Sequence, residues 1–150
     1  MAIVLDVLVA GVVAGGVAWA GSNRMSWSLI LYRNRQDGWC LSLVPLGLMC
    51  EHEEERGTTT TFGRRALITW GPWLRTSGPQ GGAFGVVSND VTSVRFEFSD
   101  GTTAVAHIYL PPEDMNASFK LFTYTRTNMP PGRVMALDPT GRILATQAFG

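Results

Sequence analysis

The sequence predicts an all-β protein: an antiparallel β-sandwich or partly closed barrel of about seven or eight strands built from hairpins. Short runs of alternating apolar and polar residues recur along the chain, and turn signals separate them about every ten residues. No long amphipathic helical pattern occurs. The chain has 150 residues, 45% of them apolar, which is enough for one ordinary domain with its own core.

The N-terminal segment, residues 1–21, is apolar and differs from the all-β domain predicted for residues 22–150. Asp6 is the only charged residue between positions 2 and 20. This length fits a signal peptide or a short membrane anchor, although no Lys or Arg precedes the apolar run. The β-branched residues and glycines of the segment fit a packed β-strand instead. We favour the export signal or anchor, and the strand stays open as the alternative.

The first predicted hairpin follows this segment. Residues 27–32 alternate between two faces, Asp37-Gly38 supplies a turn, and residues 39–43 resume the alternation. Two alternating runs around an Asp-Gly pair are typical of a β-hairpin.

Cys40 and Cys50 are the only two cysteines, and nine residues separate them. They form no CxxC pattern and have no paired His, so the spacing of a zinc site is absent. We predict a disulfide between them, which closes a short loop and stabilises the fold by about 2–3 kcal/mol. A disulfide favours an extracytoplasmic location, as an export signal does. Two buried thiols in a cytosolic protein are the alternative.

The middle of the chain predicts two short strands between irregular connections. Residues 51–63 are rich in charge and threonine, which indicates an exposed connection. Strands are predicted at 64–70 and 84–87. The intervening residues 71–82 hold many turn formers and are too long for a tight hairpin, so we expect them to cross from one sheet to another.

The clearest strand covers residues 94–98, where apolar and polar side chains alternate. Asp100-Gly101 turns the chain, and residues 102–110 return as one strand that Pro111-Pro112 ends. Another strand is predicted at 119–126, with Phe122 and Tyr124 on one side and Phe119 and Leu121 on the other.

A C-terminal hairpin joins residues 133–138 to residues 142–146. Asp138-Pro139-Thr140-Gly141 connects them, with Pro at the second position and Gly at the fourth, which is typical of a type I turn.

Several of these motifs together resemble a known group of domains. They are Trp27-x-Leu29, Asp37-Gly38-Trp39-Cys40, Cys50, Val91-x-x-Val94-x-Phe96-x-x-x-Asp100-Gly101 and Ala136-Leu-Asp-x-x-Gly141-Arg142-x-Leu144. Over about residues 22–146 the chain resembles uncharacterised extracytoplasmic β-sandwich domains of actinobacteria. The resemblance implies an exported or membrane-anchored module, and no catalytic residue comes with it.

No catalytic or metal-binding constellation is found in the sequence. Motifs for an activated serine, a zinc protease, a phosphate loop or a dinucleotide are missing. His52 lies among glutamates that we read as an exposed acidic loop, and His107 lies in mid-strand without identifiable partners. Twelve basic and twelve acidic residues cancel, which argues against a nucleic-acid partner. We therefore predict a protein that is not an enzyme and holds no metal or cofactor.

Trp70, Trp73 and Arg75 are the candidate contacts for a partner. They flank the turn-forming pair Gly71-Pro72 in a predicted connection. Exposed aromatic and Arg side chains beside rigid turn residues suit binding, because they bury much surface at low entropic cost. Two tryptophans that fill the open end of a sandwich are the favoured alternative.

Three functions stay open from the sequence. The first is a non-enzymatic extracytoplasmic interaction or sensor module with an unknown protein partner, held near a membrane by residues 2–20. The second is a structural or assembly subunit, such as a virion component, whose apolar N-terminus packs on neighbouring subunits. The third is a small-ligand-binding β-barrel, which no residue specifically indicates.

Overall fold

A computed structural model describes residues 7–20, 23–34, 38–44, 47–51, 61–70, 80–127 and 130–149 of the chain. These residues form twelve β-strands and a single turn of 3₁₀ helix. The strands are β1 (Val7–Ala20), β2 (Asn23–Asn34), β3 (Gly38–Val44), β4 (Gly47–Cys50), β5 (Leu67–Trp70), β6 (Gln80–Ser88), β7 (Ser93–Phe98), β8 (Thr103–Val105), β9 (His107–Tyr109), β10 (Phe119–Thr127), β11 (Gly132–Leu137) and β12 (Ile143–Phe149). The 3₁₀ turn covers Glu113–Met115. The all-β prediction is confirmed, with more strands than the sequence indicated.

The strands make three antiparallel sheets of four strands each. Sheet 1 has the order β1-β2-β3-β4, sheet 2 the order β5-β6-β10-β9, and sheet 3 the order β12-β11-β7-β8. Sheet 2 lies between the other two, because separate apolar cores cover its two faces. Of the two predicted architectures the structure therefore shows the sandwich, extended to three layers.

Core A fills the space between sheets 1 and 2, and core B fills the space between sheets 2 and 3. The buried members of core A are Leu29, Leu31, Leu41, Leu43, Met49, Phe62, Phe84, Val86, Met115, Phe119 and Leu121. Those of core B are Leu67, Ala83, Val87, Val91, Val94, Phe96, Phe98, Ala106, Phe122, Val134 and Ala136. No residue belongs to both lists, so each outer sheet is held by its own set of contacts.

The two central strands of sheet 2 are apolar on both faces. In β6, Phe84 and Val86 enter core A, whereas Ala83 and Val87 enter core B. Strand β10 divides in the same way, as predicted for residues 119–126, with its odd-numbered apolar residues in core A and Phe122 in core B. Successive side chains of a strand point to opposite faces, so a layer covered on both sides needs apolar residues at consecutive positions.

Turns predicted at Gly101 and Gly141 are confirmed. Both glycines have positive φ angles, +86° and +85°, which a side chain would make unfavourable. The backbone N–H of Gly101 donates to the Phe98 carbonyl at 3.0 Å, and the N–H of Gly141 donates to the Asp138 carbonyl at the same distance. The first hairpin is confirmed as well, because β2 and β3 pair from Asn34 and Gly38, next to the turn, to Ser28 and Val44.

The strand predicted for residues 102–110 is in fact two short strands in different sheets. Strand β8 pairs with β7 in sheet 3, whereas β9 pairs with β10 in sheet 2. The chain changes sheets at Ala106, which is 7% exposed and donates its N–H to the Val94 carbonyl at 2.9 Å. Alternation continues through Ala106, so the sequence pattern could not reveal that the ladder partner changes there.

Residues 7–20 of the apolar N-terminal segment form β1, which pairs antiparallel with β2 along its length. The register shifts between Val7 and Val9 and again between Val12 and Ala14, so the ladder has two irregularities, the second a bulge at Val13. Val13 and Ala14 both pack against core A. Within the described residues this segment is therefore a packed strand of sheet 1, which is the alternative to an export signal or anchor.

Candidate interaction surface

The strand register gives sheet 1 one face toward core A and one face away from it. Because Leu29 and Leu31 enter core A, the neighbouring residues of β2 point outward. Pairing across the sheet extends this outward face to the other strands. We call the central part of it the neutral face and define it by Val12, Gly15, Ser26, Ser28, Ile30, Tyr32, Cys40, Ser42, Val44, Leu48 and Cys50.

The neutral face exposes aliphatic side chains on three of its four strands. Val12 on β1 is 67% exposed, Val44 on β3 is 43% exposed and Leu48 on β4 is 49% exposed. Val12, Ile30, Ser42 and Leu48 form one row, since each is paired with the next across the sheet. None of the residues that define the neutral face is charged, and the polar ones among them carry hydroxyls. The nearest charged residue on the same strand parity is Arg24, two positions before Ser26 and outside this definition.

Cys40 and Cys50 form a disulfide across β3 and β4, as predicted. They are directly opposite in the register, with Cα atoms 4.1 Å apart. The adjacent Trp39 and Glu51 form a hydrogen-bonded pair through the Glu51 N–H, so the disulfide occupies a non-hydrogen-bonded position, where antiparallel side chains lie closest. Cys40 is buried and Cys50 half-buried. The disulfide therefore ties the short edge strand β4 to the rest of sheet 1.

Glu51, which the sequence placed in an exposed acidic connection, is a structural residue. It is half-buried, and its carboxylate accepts the backbone N–H of Trp39 at 2.9 Å and that of Phe62 at 2.6 Å. Phe62 is 4% exposed and packs edge-on against Phe119 in core A. The carboxylate thus joins the end of sheet 1 to the point where the chain re-enters the core. The rest of the predicted connection, residues 52–60 with His52, lies outside the described residues.

Of the three predicted contact residues, only Trp70 belongs to the described part of the chain. Trp70 is the last residue of β5, where its backbone pairs with Phe84. Trp73 and Arg75 lie outside the described residues, so their part in binding stays a prediction. The structure instead draws attention to the neutral face, which we did not single out from the sequence. Its signal was present in residues 26–32, where both alternating faces of the strand lack an acidic residue.

His107 lies on β9, exposed to solvent, with its ring 6.4 Å from that of Tyr109. Thr123, the buried polar residue of this region, donates its hydroxyl to the Tyr109 hydroxyl at 3.2 Å. These contacts support the sheet and include no acid that would orient the imidazole. Among the described residues there is also no group of three His, Cys, Asp or Glu side chains able to hold a metal ion.

The outward face of sheet 3 has the opposite character. One of its rows runs Thr103, Glu97, Arg133 and Ala148 across the sheet. Arg133 donates to the Glu97 carboxylate through Nε at 3.0 Å and Nη2 at 2.8 Å; the Arg133 side chain is exposed and that of Glu97 is partly exposed. In the next row Arg95 is exposed between Val105 and Met135. Charge therefore interrupts the apolar residues of this face.

The turns of sheet 3 also carry stabilised carboxylates. The Thr102 hydroxyl and backbone N–H, with Arg126, lower the pKa of Asp100 below its usual value. The Thr140 hydroxyl, together with the backbone N–H groups of Arg142 and Thr140, lowers the pKa of Asp138 in the same way. Hydrogen bonds to the ionised carboxylate favour that form, so both turns are built around a negative charge.

Within the described residues no helix is long and apolar enough to cross a membrane. Comparison of the chain with protein-family models, with curated proteins and with solved structures finds no match. The functional argument therefore rests on the chemistry of the surfaces described above.

Proposed function

We propose that the chain is a non-enzymatic interaction module of an oxidising, extracytoplasmic compartment, and that it binds a protein partner through the neutral face. The observation that carries the proposal is the exposure of Val12, Val44 and Leu48 on a sheet face whose defining residues carry no charge. A solvent-facing sheet surface ordinarily alternates apolar-in with polar or charged-out residues. The neutral face departs from that pattern, whereas the outward face of sheet 3 follows it.

The spacing of the exposed side chains supports this reading. Val12 and Leu48 lie on the two edge strands of sheet 1, three strand spacings of about 4.8 Å apart, and Val44 lies on β3 between them. Exposed apolar residues that share one face without charge are typical of a contact surface. The small hydroxyl groups between the aliphatic residues are compatible with contact to a flat surface of a partner protein. Their burial costs little free energy when the partner supplies a hydrogen bond.

The disulfide supports the proposed location in an oxidising compartment. Cys40 and Cys50 are paired within a protein that has no other cysteine, and structural disulfides persist mainly in oxidising environments. Alkylation of intact cells tests this: we expect neither thiol to react until a reductant is added. Free thiols in freshly broken cells would place the chain in a reducing compartment and end this part of the proposal.

Site-specific photo-crosslinking tests the binding surface. A photoreactive residue in place of Leu48 probes the neutral face, and one in place of Ile143 is a matched control on sheet 3, because the two side chains are 49% and 50% exposed. We expect a discrete adduct from position 48 in cells and none from position 143. Equal labelling at both positions, or no adduct at position 48, would contradict the proposal.

A structural or assembly subunit is the second candidate function. It is favoured by one observation, the long uncharged strand β1 at the edge of sheet 1. An adduct from position 48 with twice the mass of the chain, or a regular series of larger products, would favour assembly over a foreign partner.

A further inference from the structure

Strand β1 is an edge of sheet 1 and is much longer than the other edges. It has 14 residues, and within the described part of the chain only β2 pairs with it. The remaining edge strands are β4 and β5 with 4 residues each, β8 and β9 with 3 each, and β12 with 7. A typical strand has about five or six residues. β1 therefore presents an exceptionally long row of backbone N–H and C=O groups away from β2.

This edge lacks most of the devices that protect free edges. Natural sheets guard an edge with a short strand, with charged residues, above all Lys, with Pro or with a β-bulge, because an open edge pairs readily with another chain. Residues 7–20 contain no charged residue and no Pro. The register irregularities of β1 lie before Ala14, so its ladder is regular from Ala14 to Ala20. The other edges show such devices: Pro111-Pro112 lies just beyond β9, and Arg142 immediately precedes β12. An uncharged edge with a regular run of this length is expected to be covered.

We propose that β1 of a second copy covers it, pairing antiparallel with β1 about a twofold axis so that the two sheets 1 become one eight-stranded sheet. Strands of equal length meet in this arrangement, and neither brings a charge, so no like-charge pair opposes the contact. Head-to-tail growth through the other edge is disfavoured, because β4 offers only 4 residues to a strand of 14. A twofold contact closes on itself and gives a dimer instead of a fibre.

This inference is independent of the proposed function, since it depends on the backbone edge of β1 and not on the side chains of the neutral face. If both hold, the dimer displays two neutral faces side by side on one continuous sheet. Either can fail alone, and the test below separates them.

Sedimentation of the full-length wild-type chain at micromolar concentration is the first measurement, and we expect a dimer. The second is amide hydrogen exchange of β1 with increasing protein concentration. About half of the β1 amides point away from β2, and these amides gain protection only if a partner strand pairs with them. We expect protection that rises with the dimer population and disappears on dilution.

Val12→Lys provides a variant and Leu48→Lys its matched control. Both residues are exposed on the same face, but Val12 lies on β1 and Leu48 lies on the opposite edge strand. We expect Val12→Lys to weaken the dimer about tenfold, because a charge enters the shared edge twice, and Leu48→Lys to leave it unchanged. Circular dichroism checks that both variants remain folded.

Three outcomes would overturn the inference. One is a wild-type chain that stays monomeric at micromolar concentration. Another is a dimer in which the outward amides of β1 exchange freely. The last is a dimer that Leu48→Lys dissociates, which would show that the faces, and not the edges, make the contact. A crosslinked adduct with a foreign protein at position 48 would still uphold the proposed function in each of these cases.

Discussion

Sheets 1 and 3 are both outer layers of the same stack, yet their outward faces differ in charge. On sheet 1 the outward row Val12, Ile30, Ser42 and Leu48 has no charge. The corresponding row of sheet 3 has the Arg133–Glu97 ion pair at its centre. Both sheets cover an apolar core, so the cores do not account for the difference. The proposed partner contact would account for the uncharged row of sheet 1, whereas the charged row of sheet 3 is typical of a solvated surface.

Different interactions stabilise the two outer sheets. Sheet 1 is tied by a disulfide and by the Glu51 carboxylate, which bonds to backbone N–H groups. Sheet 3 depends on aromatic packing within core B and on carboxylate turns at its hairpins. We therefore expect reduction to loosen sheet 1, and acid to loosen sheet 3.

Phe96→Ala tests how sheet 3 is attached. Phe96 is fully buried, and its ring lies 4.8 Å from that of Tyr124 and 5.9 Å from that of Phe149. We expect the free energy of unfolding to fall by about 3–5 kcal/mol, measured by urea denaturation. The neighbouring Arg95→Ala, on the outward face, serves as control and should change it by less than about 0.5 kcal/mol. Similar losses for both would mean that the two faces of sheet 3 are not distinct.

Removing the disulfide with Cys40→Ala and Cys50→Ala tests how sheet 1 is attached. We expect a loss of about 2–3 kcal/mol, because the open loop regains conformational entropy in the unfolded chain. Reduction of the wild-type protein should give the same value. Hydrogen exchange should show faster opening in β3 and β4 than in β7 and β11; equal acceleration in both sheets would show that the layers open together.

Glu51→Gln tests the carboxylate at the end of sheet 1. A glutamine presents only one acceptor oxygen, so one of the N–H groups of Trp39 and Phe62 loses its partner. We expect the free energy of unfolding to fall by about 1–3 kcal/mol. Glu113→Gln, in the exposed part of the 3₁₀ turn, is the control. An unchanged midpoint for Glu51→Gln would show that these two hydrogen bonds do not stabilise the fold.

Acid titration tests the turns of sheet 3. The pKa of Asp138 is lower in the folded chain than the value of about 3.9 expected in the unfolded chain. The ionised carboxylate therefore stabilises the fold above the unfolded pKa, and this stabilisation is lost as the pH falls through the folded pKa. Asp100 behaves in the same way. We expect the melting temperature to decrease as the pH is lowered below about 4, and to decrease less steeply for Asp138→Asn than for the wild type. An identical profile for Asp138→Asn and the wild type would contradict this; Asp114→Asn is the exposed control.

Much of the local structure was predictable from the sequence. The hairpin turns at Gly101 and Gly141 depend on residues next to each other in the chain, and both are found where expected. The division of β10 into two faces was predicted from alternation alone, and Phe119 and Phe122 do lie in different cores. The pairing of Cys40 with Cys50 also required only the short connection between them.

Features that depend on distant residues were predicted less well. Ala106 continues an alternating pattern, but it is where the chain leaves sheet 3 for sheet 2. Glu51 was read as a solvated acid because its neighbours are acidic, while its partner Phe62 follows a long connection. The N-terminal strand was ranked below a membrane or export segment, because its apolar residues fit both and only pairing with β2 distinguishes them.

Local patterns in the chain establish that the protein is all-β, where its hairpins turn and which residues share a strand face, and they predict the cysteine pair. The order of the three layers, and the faces that those layers leave open, emerge only from the folded chain. A period of two marks the two sides of a strand without saying what covers either side. Whether Val12 and Leu48 face a core or solvent depends on the position of sheet 2, and that position is set by contacts far apart in the chain.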